Sequence, residues 1–99
     1  MAKRHKVGNG VKHKVTRPKY QAIITKYFGP TNTRGSRIRA KASAGSVSVP
    51  YDHALNGPEN HDVAAVKLAE KYKWLDDGSE LVGGGTPDGA GYAYVLVKD

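Results

Sequence analysis

The chain has 99 residues, with 16 Lys or Arg against nine Asp or Glu, a net charge of +7 and no cysteine. That length allows one small domain with a modest core and argues against a multidomain enzyme, while the missing thiols exclude disulfides and thiolate metal sites. Twelve Lys or Arg and no acid precede Asp52, whereas four Lys and nine acids lie from Asp52 onward, so the two halves carry +12 and −5 and the basic half calls for a polyanionic partner.

Residues 1–18 are rich in Lys, Arg, His and Gly with scattered Val. They hold too little apolar surface to offset the entropy of ordering, and they read as a flexible basic arm ahead of a single α+β domain over residues 19–99. The basic start has no apolar run behind it, so it does not read as a signal peptide. No segment approaches membrane-spanning length, and a soluble, cytoplasmic protein is expected.

The run from Tyr20 to Phe28, YQAIITKYF, is β-branched and aromatic and predicts a first strand, with Pro18 discouraging a helix across its start. The pair Ile23-Ile24 hides its phase, so Tyr27 either faces outward or fills the core. GPTNTRG supplies turn chemistry through Pro30, Asn32 and Gly35. From Ser36 to Ala42, Ile38, Ala40 and Ala42 alternate with Arg37, Arg39 and Lys41, which predicts a half-buried strand with a cationic outer face. A third strand, SVSVPY, turns Val47, Val49 and Tyr51 inward and Ser46 and Ser48 outward, and Pro50 marks an edge or an end.

A helix is expected from about Glu59 to Leu75, with Asn56 as cap and Pro58 in the first turn. Its apolar stripe is Ala65, Leu68, Tyr72 and Leu75, flanked by Val66 and Ala69, and Asp76-Asp77-Gly78 stops it. Ser79–Val82 reads as a short fourth strand, 83–91 as a glycine-rich loop, and YAYVLV as a fifth strand. The order is βββαββ: an antiparallel sheet of about five strands with one helix packed on one face.

The glycine-rich loop GGGTPDGAG lacks the Lys-Ser/Thr and the following helix of a phosphate loop, so it reads as a hairpin connection or flap. Asp52, His53, His61 and Asp62 flank one loop, but their spacing matches no ligand motif, and His61 and Asp62 suit a helix start. No Ser or Thr sits in a nucleophile-elbow context. Neither catalysis nor a cofactor or metal is expected.

The basic constellation weighs more. Arg37, Arg39 and Lys41 stand about 6.6 Å apart along one strand face, close to the phosphate repeat of a nucleic-acid strand. Ser46 and Ser48 keep the neighbouring strand low and offer hydroxyls to phosphate oxygens. Lys26, Tyr27 and Arg34 join the candidate binding set, as do Lys3, Arg4, Lys6, Lys12, Lys14, Arg17 and Lys19 at the N-terminus. Thr31, Asn32 and Thr33 around Arg34 either clasp a phosphate or only close the turn.

The run KYFGPTNTRGSRI, with VPYDHALN and HDVAAVKLAEKYKW after it, resembles small proteins encoded by bacterial genomes, plasmids and phages. The resemblance covers about residues 22–97, implies a bacterial or mobile-element setting, and carries over no catalytic or binding residue.

The expected function is sequence-independent binding of single-stranded DNA or RNA, because an open sheet suits splayed bases and the one helix begins acidic. The alternative is a protein-interaction or inhibitor module that binds through the acidic half. A small metal-dependent nuclease built on Asp52, His53, His61 and Asp62 is a third reading. An exposed edge strand and a small core leave room for a homodimer.

Overall fold

The computed structural model describes residues 20–98. Its elements are β1 (Ile23–Phe28), β2 (Arg37–Ala42), β3 (Gly45–Pro50), α1 (Gly57–Lys71), β4 (Glu80–Gly85) and β5 (Gly91–Val97). All neighbouring strands are antiparallel, and their order across the sheet is β3-β2-β1-β5-β4. The fold is therefore α+β with the expected order βββαββ, and β3 with its Pro50 is an edge strand.

The core lies between one sheet face and α1. Ile23, Ile38, Ala40 and Leu96 from the sheet meet Ala64, Ala65, Leu68 and Ala69 from the helix, all buried. The small side chains on both layers let the helix sit close over β1, β2 and β3. Its contact with β5 is slighter. Among the described residues no second layer covers the opposite sheet face, and no helix is long and apolar enough to cross a membrane.

The helix begins as its sequence dictates. The Asn56 side chain accepts from Glu59 N–H at 2.8 Å while the Glu59 carboxylate accepts from Asn56 N–H at 3.2 Å, a reciprocal capping box. Buried Asn60 ties down the preceding loop: its Oδ1 accepts from Asp52 N–H at 2.7 Å, and its Nδ2 donates to Asp52 O at 3.0 Å and Asn56 O at 2.9 Å.

The helix ends at Lys71, earlier than the expected Leu75. Trp74 N–H donates to Ala69 O at 2.9 Å and Lys73 N–H to Glu70 O at 3.0 Å, with Lys73 in the left-handed region at φ 61°. This pattern closes the last carbonyls with a Schellman turn. The turn places Trp74 between Tyr20 and Tyr72, with ring centroids 5.5 and 5.3 Å away. The Tyr72 hydroxyl then donates to Ala44 O at 2.9 Å, where Gly45 is required because a Cβ would overlap that hydroxyl.

The glycine-rich segment also departs from expectation. Gly83–Gly85 continue β4, paired with Tyr94, Ala93 and Tyr92, and only the turn between Thr86 and Gly91 remains a connection. The reason is steric: the Tyr94 ring lies over Gly83, in space a Cβ would occupy, so the missing side chain creates a cross-strand contact that outweighs poor strand propensity.

Candidate nucleic-acid interface

The alternation in RIRAKA gives β2 two unlike faces. Ile38, Ala40 and Ala42 are buried under α1, so Arg37, Arg39 and Lys41 stand on the uncovered face. Pairing then decides what accompanies them. Phe28 is opposite Arg37, Lys26 opposite Arg39 and Ile24 opposite Lys41; on the other side Pro50, Ser48 and Ser46 take the matching positions on β3. Three adjacent strands thus present four cations, two hydroxyls, a phenyl ring and an exposed isoleucine on one surface.

Ile24, Lys26, Phe28, Arg39 and Lys41 line a shallow groove of about 490 Å³. The Arg37 guanidinium carbon lies 5.2 Å and the Lys26 Nζ 5.9 Å from the Phe28 ring centroid, within cation–π range. Arg37 Nη1 is shielded from solvent and makes no hydrogen bond among the described residues. Arg39 Nη2 donates to Ser46 Oγ at 3.3 Å.

Among the described residues no carboxylate pairs with Arg37, Arg39 or Lys41. Asp88 of the β4–β5 turn feels the charge of Lys26. The Thr86 hydroxyl and the Ala90 N–H hold its carboxyl below the usual range, with a smaller contribution from the charge of Lys26.

Arg34 shares a second hollow, of about 310 Å³, with Arg37 and Ser48. Its backbone is held by Thr31, whose N–H donates to Arg34 O at 2.7 Å and whose Oγ1 accepts from Arg34 N–H at 3.0 Å. Thr31 therefore closes the turn, while the Arg34 side chain extends the cationic face. Lys3, Arg4, Lys6, Lys12, Lys14, Arg17 and Lys19 lie outside the described residues.

Tyr27 does not join this face. It is opposite inward-facing Ile38, its hydroxyl donates to Ser36 Oγ at 3.1 Å, and its ring meets Tyr51 edge-on at 5.6 Å. The outward aromatic is Phe28. The phase of β1 is set by Thr25, whose buried hydroxyl lies 2.7 Å from His61 Nδ1 and accepts from Tyr92 N–H at 3.2 Å. No local pattern in IITKYF announces that a threonine rather than the adjacent isoleucine or lysine belongs inside.

Asp52, His53, His61 and Asp62 do not converge. Asp52 Oδ1 accepts from Ala54 N–H at 2.9 Å, and the His53 ring lies 5.1 Å from that of Tyr51. Burial lowers the His61 pKa against the opposing charge of Asp62. Asp62 accepts from the Tyr94 hydroxyl at 2.6 Å; burial first, and then this bond, raise the Tyr94 pKa. Among the described residues no group of three or more His, Asp or Glu is placed to hold a metal ion.

The acidic half has its own feature. Asp62 and Glu80, with Val66, Leu75, Leu81 and Tyr94, line a groove of about 600 Å³ between α1 and β4. No family model, curated protein or solved structure matches the chain.

Proposed function

We propose that this protein binds single-stranded DNA or RNA with little sequence preference, in the cytoplasm, through the uncovered sheet face and the basic arm. The observation that carries the reading is the gathering of Lys26, Arg37, Arg39, Lys41 and Phe28 on the one sheet face that α1 leaves open. Phosphates track the β2 cations and release counterions, while a base stacks on Phe28 or rests against Ile24. The low serines of β3 leave space for the strand's backbone and donate to its oxygens. A splayed single strand suits this surface because the face is a broad sheet and the acid-capped helix lies on the opposite side. The resemblance to bacterial, plasmid and phage proteins adds a mobile-element setting, and the open edges and small core suggest a homodimer.

A chain beginning at residue 19 tests the sheet face apart from the arm. It retains salt-dependent affinity for a labelled single-stranded oligonucleotide if the face binds. Loss of all binding on removing residues 2–17 assigns the activity to the arm instead. The acid-lined groove between α1 and β4 favours a second reading, a module that binds a protein partner; absence of oligonucleotide binding by the full chain would point there.

A further inference from the structure

We infer that two copies of this chain join through the exposed edge of β4, making one continuous antiparallel sheet. The inference rests on the homodimer reading and gives it a surface.

The two sheet edges differ. On β3, Pro50 has no N–H to donate, and Lys71 Nζ reaches the Ser46 carbonyl at 3.3 Å; both features blunt an edge against pairing. The β4 edge has no proline, lysine or arginine between Glu80 and Gly85, and Gly84 and Gly85 leave open space where side chains would stand. Among the described residues no strand pairs with its outer edge.

Apolar surface runs up to this edge on both faces. On the uncovered face Val82 is 53 % exposed beside its pairing partner Val95, and Val97 is 42 % exposed beside Glu80. On the helix side the groove formed by Val66, Leu75, Leu81 and Tyr94 opens at the same margin. An added strand covers both at once.

The edge is also complementary to itself. In an antiparallel pairing about a two-fold axis at Val82, that valine meets its own copy, Leu81 lies opposite the partner's Gly83, and Glu80 lies opposite the partner's Gly84. The only charge on β4 therefore meets a glycine rather than another glutamate. Leu81 gains access to the Tyr94 ring that covers Gly83. The cationic strips on β2 then lie at the two ends of a joined sheet and offer a longer track to a polyanion.

The test uses the full chain without nucleic acid, by sedimentation across a concentration series, with three variants. The chain has no cysteine, so Val82→Cys introduces a unique thiol. Residues directly opposite on antiparallel strands have Cα atoms about 4.5–5.5 Å apart, inside the span of a disulfide. The expected results are a wild-type dimer, rapid disulfide dimerisation of Val82→Cys under mild oxidation, and none for Ser48→Cys on the opposite edge. Val82→Lys places like charges at the axis and weakens association roughly tenfold, with an unchanged circular dichroism spectrum. A wild-type dimer that Val82→Lys leaves intact, or that cross-links through Ser48→Cys instead, overturns the β4 assignment alone. A wild type that stays monomeric at high concentration overturns the dimer as well. Oligonucleotide binding is measured separately, so either failure is distinct from failure of the nucleic-acid reading.

Discussion

Replacing Arg37, Arg39 and Lys41 by Ala removes three cations from β2 without touching its buried face of Ile38, Ala40 and Ala42. The domain keeps its fold; the principal loss is the Arg37–Phe28 contact, worth about 0.5–1 kcal/mol at an exposed site. If Lys26, Arg34, Arg37, Arg39 and Lys41 each neutralise one phosphate, the sheet contributes roughly −3.5 to the slope of log affinity against log salt, at about −0.7 per contact for a single strand. The triple variant retains about −1.4. Between 50 and 200 mM salt the sheet's share of affinity then falls about 130-fold in wild type and about 7-fold in the variant. The arm adds the same increment to both chains, so the diagnostic quantity is the slope difference of about 2. Fluorescence anisotropy with a labelled oligonucleotide reads it directly. Equal slopes for the two proteins would refute the sheet-face account.

Phe28→Ala weakens the same oligonucleotide by about 1–3 kcal/mol with little change in salt slope, whereas Tyr27→Phe leaves affinity unchanged because that hydroxyl is spent on Ser36; the same anisotropy titration checks both. Asn60→Ala strands the Asp52 N–H, while Asp52 O and Asn56 O each keep a backbone donor, and it lowers stability by about 1–3 kcal/mol, measured by urea denaturation. His61 has its pKa lowered by burial from an ordinary 6.5, so the unfolded chain binds the proton more readily. Its contribution is complete above 6.5 and is lost as pH falls through the lower folded value. The urea midpoint of wild type should therefore drop more from pH 7.5 to 5.5 than that of His61→Gln, and parallel curves would contradict this.

The features legible in the sequence are those written in local periodicity or in one turn of chain. RIRAKA alternates without a break, so both faces of β2 and its cations could be read directly. Asn56, Pro58 and Glu59 announce the helix start because capping is a contact between near neighbours. Features decided by distant contacts were not legible. Tyr72 and Leu75 continue the helical pattern, yet the stacking of Trp74 on Tyr20 and Tyr72 and the Tyr72 bond to Ala44 accompany a Schellman turn after Lys71. The glycines after Val82 read as loop because the Tyr94 ring that uses the missing side chain of Gly83 lies on another strand. The exchange of Tyr27 for Phe28 at the site has the same origin. Thr25 meets a histidine 36 residues away and the Tyr92 N–H, and with buried Ile23 these contacts fix the phase of β1.

Nitrogen-15 shift mapping of the full chain with an unlabelled single-stranded oligonucleotide tests the central claim most directly. The account predicts the largest perturbations at Ile24, Lys26, Phe28, Arg37, Arg39, Lys41, Ser46 and Ser48, with α1 and the groove beneath it nearly unchanged. Perturbations confined to residues 1–19, or centred on Asp62, Leu81 and Tyr94, would contradict it.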